Sequence, residues 1–261
     1  PTTRRSYIIS VVSLLKCLTE LSNKKMYKDL YKKYYSHLTE MNNDLKTNNI
    51  KTENEKTNWL EQDEVVDKRN KLEQEIIPKI LKKKKVNKDE YDELYNLIIL
   101  SLFVLNKPRR NQDYLSMNVY KNLSDSDLKS LGDNKENAID LKNKRFIFNN
   151  YKTSGTYKSQ IVSINENLMT LLNIYLKFHP LRKVMNGYKL LVDYDGNSLN
   201  SSSSMTKKIN KIFGNRKISS SMLRKIFLTS KYSDLKEQLE NDASLMGTSE
   251  NTINNQYIKE D

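Results

Sequence analysis

Glycine and proline are scarce in this chain, with 6 Gly and 4 Pro among 261 residues. A many-stranded sheet needs a tight turn between most of its strands, and these two residues supply most of such turns. Long helices need far fewer of them. The composition therefore predicts a mainly α fold with a small antiparallel β-sheet, an α+β class.

Several classes of protein are excluded by what the sequence lacks. No run of about 18 apolar residues is present, so we expect no helix that spans a membrane. The single cysteine, Cys17, excludes a disulfide framework. The two histidines, His37 and His179, lie far apart and offer little for a zinc site. We expect no metal and no other cofactor.

The chain is strongly basic, with 45 Lys and Arg against 32 Asp and Glu and a formal net charge of +13. An excess spread over the whole chain favours a polyanionic partner, most simply nucleic acid. A soluble protein from a source rich in Lys, Asn and Ile would show the same excess. Charge alone does not separate these two interpretations.

Two helices are predicted at the start of the chain. The apolar spacing over residues 7–18 predicts a helix whose apolar face consists of Tyr7, Val11, Leu14, Leu15 and Leu18. A second helix is predicted over residues 25–46, and the polar stretch 42–58 then indicates a linker. The predicted domains are a small helical domain over residues 1–50, a linker over 51–58 and a larger domain over 59–261.

The larger domain shows helical spacing on both sides of a short region with a period of two. Helices are predicted over residues 61–81, interrupted or kinked at Pro78, and over 91–105. Residues 145–148 and 160–164 are predicted to form a hairpin, with Gly155 supplying the turn. Further helices are predicted after Asn165 and over about 203–213, 219–230, 234–246 and 249–258.

Four short segments of the larger domain carry side chains suited to chemistry. In chain order they are Arg110 with Asp113, Lys152 on the hairpin, Ser221 with Arg224, and Gly247 followed by Tyr257. Each alone has an ordinary explanation, since Arg110 can pair with Asp113 at a helix end and the others can be solvated. Their order and spacing together are harder to explain in this way.

From Trp59 to the C-terminus, these segments resemble the tyrosine recombinase (phage-integrase) family. The family's first box is an arginine followed three residues later by an acid, and Arg110 with Asp113 matches it. The family's hairpin lysine matches Lys152. The N-terminal helices look more loosely like the family's core-binding domain, which binds DNA. The start at Pro1 is also compatible with a fragment that lacks a further N-terminal domain.

The remaining two boxes match in part. The family's His-x-x-Arg box appears as Ser221-x-x-Arg224. The Leu-Gly-His…Tyr box appears with Gly247, Thr248 and Tyr257, and the distance from the glycine to the tyrosine is retained. Both histidine positions are therefore replaced, by Ser221 and Thr248, and the resemblance is to a divergent member.

The resemblance implies a site-specific DNA recombinase or integrase that breaks and rejoins DNA through a 3′-phosphotyrosine intermediate without a metal. Tyrosine is a suitable nucleophile because its phosphodiester is reversible. The implied catalytic residues are Tyr257, Arg110, Arg224, Lys152, Ser221 and Thr248, and Asp113 and Gly247 are implied to support them. Two alternatives stay open: a type IB topoisomerase that relaxes DNA, and a DNA-binding protein of this fold with weak or lost cleavage.

The expected partners follow from the same resemblance. We expect double-stranded DNA as the substrate, a monomer in free solution and a tetramer on paired DNA sites, inside the cell wherever the target DNA lies. Candidate phosphate contacts on the second predicted helix are Lys24, Lys25, Lys28, Lys32 and Lys33. A solvated helix face explains these five lysines equally well.

Overall fold

A computed structural model describes residues 2–22, 24–47, 50–184, 187–199, 201–248, 250 and 253. The chain divides into two compact units, Pro1–Lys56 and Thr57–Asp261. The prediction of a mainly helical α+β chain with a small sheet is confirmed. The functional identities predicted for the domains stay predictions.

The first unit contains a pair of helices, α1 (Thr2–Leu21) and α2 (Lys25–Thr47), that pack against each other. Arg5, near the start of α1, donates from Nε to Oδ1 of Asn42, near the end of α2, at 2.7 Å. Since a link between the first residues of one helix and the last residues of the next requires opposite directions, the pair is antiparallel.

The predicted apolar face of α1 is wrong in part. The buried residues are Ile8, Val12 and Leu15, whereas Tyr7, Val11 and Leu14 are exposed. Two apolar stripes run side by side along α1, and periodicity alone does not say which of them the neighbouring helix covers.

The stretch predicted as a linker is partly helical, because α2 continues to Thr47 and α3 (Glu53–Asn58) follows. Thr52 begins α3 with a reciprocal cap. Its backbone N–H donates to Oε2 of Glu55 at 2.9 Å, and its hydroxyl accepts from the Glu55 N–H at 3.3 Å. A polar sequence with a capping box forms a helix without any apolar face, which the composition argument overlooked.

The second unit is built around a helix that is buried along most of its length. The helices that follow α3 are α4 (Gln62–Ile80), α5 (Lys88–Val104), α6 (Asn111–Leu115), α7 (Asp125–Asp133), α8 (Ser154–Tyr157), α9 (Glu166–Phe178), α10 (Ser202–Ile212) and α11 (Ser220–Leu245). Every residue of α5 from Leu97 to Phe103 is buried. α4, α9 and α10 pack around α5, which confirms the predicted buried helix and makes it the axis of this unit.

The sheet has five short strands and is mixed rather than antiparallel. The strands are β1 (Asn118–Tyr120), β2 (Ala138–Asp140), β3 (Arg145–Phe148), β4 (Gln160–Ser163) and β5 (Tyr188–Lys189), in the order β4-β3-β2-β1-β5. β1 and β2 are parallel and connected through α7, whereas the other pairs are antiparallel. β1 and β2 have three residues each, too few for an alternating pattern to show in the sequence.

The predicted hairpin is confirmed, but its turn differs from the prediction. β3 and β4 pair antiparallel, with Phe148 opposite Gln160. Gly155 lies inside the short helix α8 and not at a position of positive φ, and the positive φ of the connection (58°) belongs to Lys158. The loop is long enough to turn through a helical segment, so it does not need a glycine at its tip.

The predicted helices over 219–230 and 234–246 form one continuous helix, α11. Residues 231–233 (Lys-Tyr-Ser) contain neither glycine nor proline, and nothing in them stops a helix. The helix predicted over 249–258 lies outside the described residues except for Glu250 and Ile253.

Candidate functional site

A cavity of about 610 Å³ opens where the end of α5, the β3–β4 hairpin and the start of α11 meet. Its walls are Asn106, Lys107, Pro108, Arg109, Arg110, Asp113, Tyr114, Phe146, Phe148, Tyr151, Thr153, Tyr157, Gln160, Ile161, Val162 and Arg224. The cavity thus brings together segments of three predicted boxes that are widely separated in sequence.

Arg109, rather than Arg110, is the ion-pair partner of Asp113. Arg109 donates from Nε to Oδ2 of Asp113 at 2.8 Å and from a terminal nitrogen to Oε1 of Gln160 on β4 at 2.8 Å. Its guanidinium lies 3.8 Å from the centre of the Phe148 ring. These contacts tie the α5–α6 junction to the hairpin, so the suggested Arg110–Asp113 pair is wrong.

The reason lies in the backbone before α6. Arg110 is the residue that precedes the helix, with extended dihedral angles (φ −79°, ψ 154°). Neighbouring side chains of an extended segment point in opposite directions. Both arginines line the cavity, but only Arg109 is bonded to Asp113 and to the hairpin.

Arg110 and Arg224 are two cations of the cavity wall. Within the described residues, neither makes a hydrogen bond or an ion pair through its side chain. Burial lowers the pKa of Arg224 below its ordinary value, and the positive charge of Arg110 lowers it further. Asp113 acts in the opposite direction on that pKa, and Arg109 again lowers it. Two cations close enough to influence each other, half-buried and without a counter-ion, favour binding of an anion.

A buried asparagine that the sequence analysis missed holds α6 against the start of the hairpin loop. Asn137 donates from Nδ2 to the carbonyl oxygens of Asp113 (3.0 Å) and Asn150 (2.9 Å). Its Oδ1 accepts from the N–H groups of Asn149 (2.9 Å) and Asn150 (2.7 Å). A single asparagine among many in this sequence carries no signal of such a role. Arg109 and Gln160 were missed as well, although the four-residue spacing of Arg109 and Asp113 was available as a helix ion-pair pattern.

Part of the cavity lining is formed by aromatic side chains that pack together. Tyr114, Phe146 and Phe148 are buried and pack edge-on or tilted against one another. The Tyr114 hydroxyl donates to the Leu102 carbonyl at 3.1 Å, and burial raises the pKa of Tyr114 above its ordinary value. Tyr114 is therefore a packing residue and does not ionise in the physiological range.

Lys152 is exposed in the loop that follows β3, directly before Thr153. Its two neighbours, Tyr151 and Thr153, line the cavity, although Lys152 itself does not. Within the described residues its ammonium group has no hydrogen bond or ion pair. The structure therefore places a free cation beside the cavity entrance.

Ser221 and Thr248, which occupy the family's histidine positions, do not line the cavity. Ser221 lies one turn before Arg224 and is exposed. Thr248 follows the far end of α11. The 21 residue steps from Arg224 to Leu245 in this helix correspond to about 30 Å. The structure does not bring Thr248 together with the two arginines.

Gly247 has a clear structural role at that far end. It has a φ of +66°, and its N–H donates to the Ser244 carbonyl at 3.1 Å. The N–H of Thr248 donates to the Ala243 carbonyl at 2.9 Å. These two bonds form a Schellman C-cap, in which glycine is favoured. Tyr257, the predicted nucleophile, lies outside the described residues.

The five lysines proposed for DNA contact are all exposed at the start of α2 or within it. Lys28 already takes part in an interaction. Contact of these side chains with DNA stays a prediction.

No helix in the described ranges is long and apolar enough to cross a membrane. No group of three or more His, Cys, Asp or Glu in the same ranges could hold a metal ion.

Comparison with known proteins does not assign this chain to a family. No family model, no curated protein and no solved structure matches it. The resemblance to tyrosine recombinases therefore depends on the motif residues alone.

Proposed function

We propose that this protein is a tyrosine-type DNA recombinase that breaks and rejoins DNA strands at the Arg110–Arg224 cavity. One observation carries the proposal. Arg110 and Arg224, far apart in sequence, line the same cavity, and neither has a counter-ion within the described residues. Burial and the nearby charge of Arg110 lower the pKa of Arg224. A phosphodiester is the anion that this arrangement and the resemblance both favour.

The two guanidinium groups would bind the non-bridging oxygens of the scissile phosphate. Negative charge accumulates on these oxygens in the transition state, and fixed donors in a half-buried site stabilise that charge without reorganisation. Arg109, Asp113 and Asn137 would act indirectly, because their contacts fix the α5–α6 junction and the hairpin on either side of the phosphate.

In the chemical step, Tyr257 would release its hydroxyl proton to bulk water, and its oxygen would form a bond to phosphorus as the bond to the 5′-oxygen breaks. Lys152 would donate a proton to the leaving 5′-oxygen, for which its exposed position beside the cavity is suited. Rejoining is the same reaction in reverse: the 5′-hydroxyl attacks the 3′-phosphotyrosine and returns its proton to Lys152. No bond energy is lost to water, so the step needs no additional energy source.

A nicked duplex that traps the covalent intermediate tests this proposal. The short strand beyond the nick diffuses away after cleavage, so the protein stays attached to labelled DNA on a denaturing gel. We expect an adduct with the parent protein and none with Tyr257→Phe, with duplex binding nearly unchanged. Tyr232→Phe, at an exposed position of α11, is the matched control and should form the adduct normally. An adduct with Tyr257→Phe would remove Tyr257 from its role.

A second candidate function is DNA binding without efficient cleavage. It is favoured by the position of Thr248 at the far end of α11, about 30 Å from Arg224. It is also favoured by the lining of the cavity. Asp113 is the only carboxylate among the lining residues described, and because it is paired with Arg109 it is not free to accept the proton of the tyrosine. Absence of an adduct with the parent protein, together with tight duplex binding, would support this function over the first.

Assembly belongs to the same proposal. We propose a monomer in free solution and a tetramer on paired DNA sites. α11 leads away from the arginines. We therefore test whether Tyr257 of one subunit acts at the arginines of a neighbouring subunit. Tyr257→Phe and Arg224→Ala proteins are each expected to be inactive. If they regain adduct formation when mixed, Tyr257 acts between subunits. If they stay inactive, it acts within one chain.

A further inference from the structure

A second cavity, of about 300 Å³, lies at the opposite end of α5 from the first. Lys85, just before α5, contributes to one wall, and Arg182 and Lys183, in the loop after α9, contribute to another. α5 spans Lys88–Val104, which corresponds to about 25 Å. The second cavity is therefore separate from the one that contains Arg110 and Arg224.

The loop that carries Arg182 and Lys183 is held in a defined conformation by a buried histidine. His179 is fully buried, and its Nδ1 accepts from the Leu181 N–H at 3.1 Å. Its Nε2 lies 3.2 Å from the Leu190 carbonyl and must donate to it, so the ring is neutral. Burial lowers the pKa of His179 to about 4, which is consistent with this neutral form. The histidine shapes the site and adds no charge to it.

The two loops are also linked directly. Lys177 donates from Nζ to the Leu81 carbonyl at 3.2 Å, and Arg182 donates to the Lys177 carbonyl at 2.8 Å. The basic run Lys82–Lys85 therefore lies next to Arg182 and Lys183 in the folded chain. A charge run that the sequence alone presents as an ordinary solvated loop is one half of a larger basic surface.

This surface has little negative charge to offset it. Within the described residues, Lys83 pairs with Glu90, whereas five other cations form no ion pair. These five are Lys82, Lys84, Lys85, Arg182 and Lys183. All of them are exposed.

The carboxylates nearest in sequence to the cavity wall are already engaged. Tyr194 lines the cavity between Asp193 and Asp195. Asp195 lies 3.7 Å from the ammonium group of Lys88. Asp193 accepts from the Asp195 N–H at 3.0 Å and from the Asn197 side chain at 3.2 Å. Asp195 therefore has a cationic partner, whereas Asp193 is held by neutral donors and keeps its charge.

We propose that these five cations form a second nucleic-acid contact that binds backbone phosphates of a duplex. Exposed cations spread over two loops suit a row of phosphates, whereas a single small anion would be held by an enclosed set of donors. The proposal concerns binding and does not depend on strand cleavage.

The test compares two triple variants that remove the same charge. Lys84, Lys85 and Lys183 are changed to Gln in the first variant, and Arg182 is kept because it bonds to the Lys177 carbonyl. Lys71, Lys129 and Lys142 are changed to Gln in the control, since they are exposed and have no ion pair within the described ranges. Fluorescence anisotropy with a labelled 30-base-pair duplex is measured over a range of salt concentrations. Thermal unfolding establishes that both variants fold like the parent.

We expect the first variant to reduce the slope of log K against log salt by about three, because each lost phosphate contact contributes roughly 0.9. Its affinity at moderate salt should fall by roughly tenfold or more, and the control should change much less. Equal slopes for the two variants would overturn the proposal. So would a first variant that keeps duplex binding but no longer binds vesicles containing phosphatidylserine, because the surface would then recognise lipid headgroups. Arg182→Gln provides an independent check and should lower the slope by about one.

Discussion

The cavity that contains Arg110 and Arg224 and the far end of α11 differ in how the structure packs them. At the cavity, Arg110 and Arg224 project from elements packed on the buried helix α5, and the Arg109–Asp113 pair links those elements to the hairpin. At the far end of α11, Leu245 and Met246 are exposed and the backbone closes with a glycine cap. The fold brings together the half of the resemblance that contains the two arginines, and it does not bring the half containing Thr248 to them.

This difference separates the positioning of charge from the supply of a nucleophile. α6 packs against α10, and α11 packs against α4 and α5, so the fold itself brings the two cations to the cavity, as electrostatic stabilisation requires. The proposed nucleophile has no such need, since it must approach the phosphate only when DNA is bound. We therefore expect substitutions around the cavity to act on the chemical step and on stability, and substitutions at the end of α11 to have small effects on folding.

The largest expected effect is loss of the cavity arginines. Arg110→Ala and Arg224→Ala should each slow adduct formation by about 100-fold or more under single-turnover conditions, as removal of an oxyanion donor typically does. Arg216→Ala, at an exposed position before α11, is the control. If either cavity variant reacts at the parent rate, that arginine does not contact the scissile phosphate.

The neighbouring arginines provide a sharper contrast. Arg109→Ala leaves the buried carboxylate of Asp113 without its partner and should lower the free energy of unfolding by about 3 kcal/mol or more. Arg110→Ala removes no contact within the described residues and should change it by less than about 0.5 kcal/mol. Urea unfolding measures both. Equal losses in the free energy of unfolding would contradict the assignment of Arg109 to structural support and of Arg110 to phosphate binding.

The buried histidine His179 also predicts that the stability of the fold depends on pH. His179 has an ordinary pKa of 6.5 when unfolded and a pKa of about 4 in the fold, where burial disfavours its charged form. Its contribution to stability is complete above pH 6.5 and is lost as the pH falls towards 4, because the unfolded chain then binds the extra proton. The loss approaches roughly 3 kcal/mol at pH 4.

Unfolding midpoints of the parent, His179→Gln and His37→Gln across this pH range test the assignment. The His179 variant should be less stable at pH 7 and should show a flatter profile. His37 lies partly exposed in the first unit, and its variant should follow the parent. An unchanged slope in the His179 variant would assign the acid sensitivity to other groups.

The smallest effect is expected at the end of α11. Gly247→Ala places a side chain at a φ of +66°, where it meets no atom within 4 Å, so only the backbone cost of about 1 kcal/mol applies. Gly155→Ala, in α8 and without a positive φ, should be neutral or slightly stabilising. A loss of several kcal/mol in Gly247→Ala would show that the cap is packed as firmly as the cavity.

Periodicity and box spacing predicted much of this molecule. The buried helix α5, the β3–β4 hairpin, α10 and the positions of Arg110 and Arg224 after α5 and at the start of α11 all followed from local patterns. Three features did not. The choice between the two apolar stripes of α1 depends on its neighbour, the role of Asn137 depends on groups that meet only in the fold, and β1 with β2 is too short to show a period.

The ion-pair partner of Asp113 also could not be predicted from sequence spacing. Arg109 and Arg110 are both within helical reach of Asp113, and the extended backbone at Arg110 decides between them. The position of Thr248 depended on whether α11 breaks near residue 231, which the sequence had suggested and the structure does not show. Motif spacing therefore predicted candidate residues but not which of them meet in the fold.

We propose that Arg110 and Arg224 neutralise the charge of the scissile phosphate. This proposal is tested most directly with a substrate in which a methyl group replaces one non-bridging oxygen of that phosphate and removes its charge. The rate of adduct formation is measured for the parent, Arg110→Ala and Arg224→Ala on both substrates, as a double-mutant cycle. We predict that the loss of about 100-fold on the normal phosphate shrinks to less than about tenfold on the neutral one. The same loss on both substrates would contradict the claim.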